Sequence, residues 1–174
     1  SLASTRAKII KTSTLGDFSS SAIRGTTTSG LIISPEWFHA KKTNRTGELY
    51  TPVYWSFSQP KARFFAVHPN IESYSKMVIN ETDASGSPSV DFAVEPDVTK
   101  QVDLMTACSG DIEYAEQGVQ PTTSLDFRHT LTAIRFAVGQ NLSWDKTIDK
   151  VELRNVVMKS RYILSKQFDG TGAD

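Results

Sequence analysis

The sequence predicts an all-β protein, an antiparallel β-sandwich. Three observations carry the prediction. About eight short runs rich in β-branched and aromatic residues recur at roughly 8–15-residue spacing. No amphipathic run of about 10 residues at helical period competes with them. The longest apolar run changes parity midway, as a strand does at a bulge or on crossing between two sheets.

Along the chain, residues 1–29 are rich in Ser and Thr and fit a strand, an arm or disorder. Leu31-Ile32-Ile33 is a short strand stopped by Ser34-Pro35. Tyr50-Thr51-Pro52-Val53-Tyr54-Trp55-Ser56-Phe57 reads as an aromatic strand whose proline confines its start to an edge. Ala62-Arg63-Phe64-Phe65-Ala66-Val67 is apolar on both parities, the mark of a central strand, and stops at His68-Pro69. Met77-Val78-Ile79 precedes a loop marked by Asp83, Gly86 and Pro88. Val90, Phe92 and Val94 alternate with polar or small residues until Pro96. Val102-Asp103-Leu104-Met105 is followed by a polar stretch, residues 109–123, expected to be a loop.

The strongest signal comes next. Leu125, Phe127, His129, Leu131 and Ala133 share one parity, and Ile134, Phe136 and Val138 take the other. Gly139-Gln140-Asn141 turns the chain, Val151, Leu153 and Val157 alternate, and Tyr162-Ile163-Leu164 is a last strand. The expected organisation is an N-terminal arm with the first strand (1–28), a sandwich (29–166), and a linker or cut end leading to a second domain (167–174). The opening Ser1-Leu2-Ala3-Ser4 is expected to follow a removed export signal.

Composition narrows the function. Nineteen Lys and Arg balance nineteen Asp and Glu, so the net charge is zero and no global field draws the chain to nucleic acid or an anionic membrane. At 39% hydrophobic and 22% charged residues, the chain is too apolar for disorder and too ordinary in charge for a coiled coil. No run approaches the ~20 apolar residues of a membrane span. Cys108 is the sole cysteine, which excludes an internal disulfide and a cysteine zinc cluster. The 38 Ser and Thr residues are expected mainly in ends and loops, with the balanced charges on solvent faces.

Enzymatic motifs do not assemble. There is no G-x-S-x-G elbow to expose a nucleophilic serine, although Ser, His and Asp all occur. His39, His68 and His129 lack a partner His or Cys at metal-ligand spacing, and His129 has the core-facing parity of a structural histidine. Ser85-Gly86-Ser87-Pro88 lacks the second glycine and the Lys-Ser/Thr pair of a phosphate loop. Lys41-Lys42 with Arg45 reads as a solvated turn. Trp37-Phe38, Tyr54-Trp55 and Phe64-Phe65 read first as core, because aromatics bury the most area per residue. No catalytic residue, metal or cofactor is expected.

Four segments in order resemble a known family. They are Tyr54-Trp55 with Ala62-Arg-Phe-Phe-Ala-Val-His-Pro69, Val90-Asp-Phe-Ala-Val94 with Gln101-Val-Asp-Leu-Met-Thr-Ala107, Leu125-Asp-Phe-Arg-His-Thr-Leu131 with Ile134-Arg-Phe136, and Lys150-Val-Glu-Leu-Arg-Asn-Val156. Together with Thr5-Arg6-Ala7, this order resembles the N-terminal domain of the fimbrillin-like (Mfa-like) surface fimbrial proteins of Bacteroides-type bacteria, over roughly residues 5–165. Two departures stand out: Ser56 follows Trp55 where the family has proline, and Val67-His68 replaces two tyrosines.

The resemblance implies a transthyretin-like Greek-key sandwich of about seven to eight strands in an exported subunit of the outer membrane or fimbrium. It implies a lipid anchor through an upstream cysteine that is no longer present. It also implies partners among other fimbrial subunits or surface ligands of host or bacteria. In pilus-forming members a trypsin-like protease removes the first strand after an arginine, and a strand from the next subunit fills the groove. The matching arginine here is Arg6, with Arg24 a second candidate. A stalk, tip, anchor or lone-lipoprotein role stays open. A reading from another class stands beside it, a carbohydrate-binding surface module stacking sugars on Trp37, Tyr54 or Trp55.

Overall fold

The computed structural model describes residues 14–132, 134 and 148–165. Its strands are β1 (Phe18–Gly25), β2 (Leu31–Ile32), β3 (Phe38–Thr43), β4 (Lys61–His68), β5 (Met77–Asn80), β6 (Ser89–Ala93), β7 (Met105–Glu113), β8 (Arg128–His129) and β9 (Lys159–Ile163). They form two antiparallel sheets, so the chain is an all-β sandwich with nine described strands, against an expectation of seven to eight. In the larger sheet β1 pairs with β4 on one side and with β2 and β3 in succession on the other, and β7 and β8 follow β4. The smaller sheet runs β5-β6-β9.

The two-parity apolar run at 62–67 becomes β4, the central strand it predicted, because both of its faces are covered. Phe65 and Val67 point between the sheets, where they meet Ile23, Val90, Phe92, Tyr162 and Leu164. Ala66 points the other way, into a smaller cluster with Phe18 and Ala107. Each fully buried Val, Leu, Ile or Phe of the main core contributes about 1.5–3 kcal/mol through water exclusion. In the smaller sheet Tyr74 stacks on Phe92 at 5.0 Å and donates its hydroxyl to the Ala93 carbonyl.

The first strand lies deep in the larger sheet, and its hydroxyls are buried with it. Ser19, Ser20 and Ser21 are all nearly inaccessible. Ser20 Oγ bonds Thr43 Oγ1 at 2.7 Å, Ser21 Oγ accepts from Ala40 N–H, and Ser19 Oγ accepts from Ile71 N–H. Here the hydroxyls satisfy backbone donors that the sheet leaves over. Most of the other described Ser and Thr lie outside the strands, as expected, but Thr43, Ser89 and Thr106 are buried in strands as well.

A polar clasp closes one side of the sandwich. Glu36, just before β3, accepts from Thr82 N–H and Thr82 Oγ1 at 2.5 Å each, beyond the end of β5. Its other oxygen lies 2.6 Å from His39 Nδ1, and His39 Nε2 lies 3.0 Å from the Ile79 carbonyl. A carboxylate and a carbonyl can only accept, so both contacts are satisfied at once when both ring nitrogens donate, as they do in the imidazolium form. Glu36 holds the His39 pKa above the usual histidine range, chiefly through that hydrogen bond. Burial pushes the Glu36 carboxyl upward, but the bonds from His39 and Thr82 outweigh it and leave the carboxyl lowered.

Four segments depart from the pattern in the sequence. Residues 50–57 form no strand; Pro52 offers no N–H, and Trp55 Nε1 instead closes a turn on the Gln59 carbonyl at 2.8 Å. Strand β7 runs on through Ser109, Gly110 and Asp111, which had read as loop. A register shift opposite Arg63–Phe65, with Gly110 at φ 68°, carries it past those residues. Of the long parity-switching run only β8 is a described strand, Ile134 is exposed, and 133 and 135–138 lie outside the described residues. Val151, Leu153 and Val157 alternate yet stand exposed and unpaired with any described strand, because alternation alone supplies no partner.

Candidate functional site

Opposite the clasp, the described residues leave two sheet edges without a partner strand. Strand β8 pairs only with Met105 and Thr106 of β7, and residues 107–113 have no described strand on that side. In the smaller sheet β9 likewise ends the order, with only β6 as a described neighbour. A sheet edge of this kind presents a row of backbone groups that can pair with a further strand.

Two cavities lie along the 122–129 segment, and one of them reaches the β7 edge. One, of about 380 Å³, separates Cys108, Ser109 and Ile112 of β7 from residues 122–124, Asp126 and Arg128. The chain at 122–128 thus runs alongside β7 with a gap between them. A second, of about 640 Å³, opens on the outer face of the larger sheet, over Phe18, Met105, Leu125 and Phe127. Phe18 and Phe127 meet edge to face at 5.0 Å in its wall. Its rim is polar, with Arg45, Asp126 and His129. Burial raises the Cys108 thiol above its usual range, so it is a weak nucleophile in the groove wall.

The histidines take three different positions. His129 is on β8 but exposed, and it pairs with Asp103 at 2.8 Å instead of facing the core. The two-residue pairing of β8 does not carry its parity into the sandwich, which corrects the core-facing expectation. His68 is buried, with Nδ1 on the Asp103 carbonyl at 3.2 Å, and desolvation lowers its pKa. His39 belongs to the clasp. Among the described residues no three His, Cys, Asp or Glu side chains gather as metal ligands.

Of the aromatics expected in the core, Phe65 is there and Phe38 is buried, but Trp37, Trp55 and Phe64 form a cluster on the outer face of the larger sheet. Trp37 lies 5.5 Å from Trp55 and 5.9 Å from Phe64, and Trp55 lies 5.6 Å from both Phe64 and Tyr114. Phe57 extends the row to Tyr114 at 5.4 Å. Trp37 and Trp55 are half-buried in this cluster, whereas Tyr54 is 89% exposed. The reversal follows from pleat geometry. Phe65 faces inward, so its neighbour Phe64 must face outward, and the aromatics of the 37–38 and 54–57 segments gather on it.

Of the two processing candidates, Arg6 lies outside the described residues. Arg24 is in β1, paired with Ile32 on one side and Ala62 on the other. Its guanidinium lies 4.7 Å above the Trp37 ring and donates to the Tyr54 carbonyl at 3.2 Å. Lys41 and Lys42 are on β3 and not in a turn; Lys42 sits over the Tyr50 ring and 3.7 Å from Asp17. The Cys108–Ser109–Ile112 wall was hidden in the sequence by its loop-like composition. No simple alternation would have revealed it, because the bulge between Cys108 and Asp111 switches which parity faces the core.

No helix among the described residues is long and apolar enough to cross a membrane. No curated protein and no solved structure matches the chain. The model of the fimbrillin-like family matches residues 5–172, nearly the whole length and across both sheets and the open β7 edge. Family membership suggests a structural fimbrial subunit at the cell surface that interacts with other subunits. On that match, and on a sandwich of the kind the four sequence segments led us to expect, the chain belongs to the fimbrillin-like family.

Proposed function

We propose that the chain is a non-catalytic fimbrial subunit whose sandwich accepts a β-strand from a neighbouring subunit along the open edge of β7. One observation carries this reading: residues 107–113 lack a described partner strand while a gap of about 380 Å³ separates them from 122–128. An incoming strand would bond the β7 backbone and seat side chains in that gap, the mode called β-augmentation. Each Val, Leu or Ile side chain fully buried there would add about 1.5–3 kcal/mol. On this reading the subunit is exported, anchored by lipid at the outer membrane, and activated by cleavage after Arg6. The pairing of Arg24 with Ile32 and Ala62 in β1 supports Arg6 over Arg24 as the cut on this reading, since a protease needs an extended, unpaired segment.

Cys108 tests the reading, being the only thiol and lying in the groove wall. The protein is digested with an arginine-specific protease, the cut mapped by N-terminal sequencing, and assembly followed by sedimentation. Alkylation of Cys108 at about pH 8.5 is timed before and after. The expected result is a cut after Arg6 with the core intact, sedimenting polymers, and Cys108 alkylated at least tenfold more slowly within them. A persistent monomer, or polymers in which Cys108 reacts as before, would overturn strand acceptance at β7.

A further inference from the structure

The aromatic face is a second exposed surface, apart from the β7 edge. The loop that presents Tyr54 is held in place by its neighbours. Trp55 Nε1 is bound to the Gln59 carbonyl, Gln59 N–H closes a turn on the Ser56 carbonyl, and the Tyr54 carbonyl accepts from Arg24. Tyr54, 89% exposed on a turn whose backbone is pinned, presents a ring open to stacking.

Arg24 defines what that surface takes. Its guanidinium has five N–H donors and is recorded with one acceptor, the Tyr54 carbonyl. It stacks on Trp37, and among the described residues no carboxylate lies within 4.0 Å of it. The neighbouring cations are matched, Lys61 with Glu113 at 2.7 Å and Arg63 with Asp111. The face therefore combines an open ring with a cation that has unused in-plane donors. A pyranose offers C–H groups for the ring, and a carboxylate on that sugar offers the planar acceptor that a guanidinium fits. The exposed hydroxyls of Ser56 and Ser58, which bond each other at 2.7 Å, lie on the same turn as Tyr54 and Trp55. Exposed hydroxyls and unused guanidinium donors beside a ring suit a hydroxylated, acidic chain better than an apolar protein surface.

We propose that the outer face around Tyr54, Trp55, Trp37 and Arg24 binds an acidic polysaccharide, with Tyr54 stacking on a sugar ring and Arg24 pairing with its carboxylate.

The test uses the intact chain and defined oligosaccharides. Hexagalacturonate and sialyllactose are the acidic probes, and maltohexaose is the neutral one. Binding is read by tryptophan fluorescence and by calorimetry at low and high salt. The expected result is binding of at least one acidic probe, weakened at least tenfold by Tyr54→Ala and by raising the salt, with maltohexaose bound at least tenfold more weakly. Arg24→Gln should erase the preference for acid while Tyr54→Phe retains binding. Circular dichroism confirms the fold of each variant. Failure of both acidic probes to bind at millimolar concentration would overturn the proposal, as would binding untouched by Tyr54→Ala. A Tyr54→Ala variant that instead changed the oligomeric state without sugar would assign the face to a protein partner. Because Cys108 and the β7 edge take no part, these outcomes leave the strand-acceptor test unaffected.

Discussion

The Glu36–His39 clasp makes the stability of this sandwich depend on pH in a stated direction. The perturbation is Glu36→Gln, which keeps an acceptor for Thr82 but removes the charge that His39 faces. The Glu36 side chain is only 3% exposed and that of His39 28%, so solvent screens the pair only in part. A hydrogen bond to a charged group in such a site is worth about 1.5–3 kcal/mol. We therefore expect a loss of about 2 kcal/mol near pH 6, or about 4–8 °C in Tm for a chain of this size. The pH window follows from the two shifts. His39 is raised, so its share of stability is complete below the unfolded histidine value of about 6.5 and is lost as pH climbs through the higher folded value. Glu36 is lowered, so its share is complete above about 4.3 and is lost as pH falls through the lower folded value. The clasp is thus strongest between about pH 4.5 and 6.5. Thermal unfolding of both proteins by circular dichroism from pH 5 to pH 9 gives the answer. Their gap in Tm should be widest near pH 6 and narrow steadily above it. Glu81, the other carboxylate that raises His39, is present in both proteins and cancels from the difference. A gap constant from pH 5 to pH 9 would refute the imidazolium assignment.

Three further outcomes follow from packing and charge. Phe65→Ala should cost about 3–5 kcal/mol in denaturant unfolding, and Phe64→Ala clearly less, because Phe65 is in the closed core and Phe64 in the half-open outer cluster. Asp91 pairs with Arg161 across β6 and β9, and chiefly that bond lowers its pKa to about 2. Its contribution is present above about pH 4 and lost as pH falls toward that value; the pair is well exposed, so Asp91→Asn should cost under about 1 kcal/mol in acid titrations of stability. Gly25→Ala would drive a Cβ into the Gly30 carbonyl and loosen β2 from β1, visible as faster amide exchange at Leu31 and a loss of about 1–3 kcal/mol.

Where a segment announced its own environment, the sequence could be read directly. The two-parity run of β4 and the alternations of β5 and β6 each fix which faces are covered, and each is a strand where the pattern put it. Segments whose state depends on a distant partner were opaque. Residues 50–57 have strand composition, yet Phe64 on another strand recruits their rings to the outer face. Val151 and Leu153 alternate like a strand, but pairing needs a neighbour and no described strand is beside them. Ser109-Gly110-Asp111 looks like a turn and is a bulge, because the partner Arg63 holds Asp111 by an ion pair across the sheet. The aromatic residues of the outer face were recognised by type and misplaced by depth, since composition does not say which parity faces the core. The open edge of β7 was the least legible feature, being defined by what pairs with what across the fold.

The pairing of β6 with β9 joins residues some seventy positions apart, as in Asp91 with Arg161. Until residues 159–164 have been delivered, Val90 and Phe92 lack their neighbours Tyr162 and Leu164, and the core stays open on that side. Such non-local closure is slow compared with local pairing, since the loop entropy must be met before any contact repays it. The sandwich therefore completes itself only when its last strand arrives. A chain still being threaded through a pore would keep this side of its core open until Tyr162 and Leu164 came through.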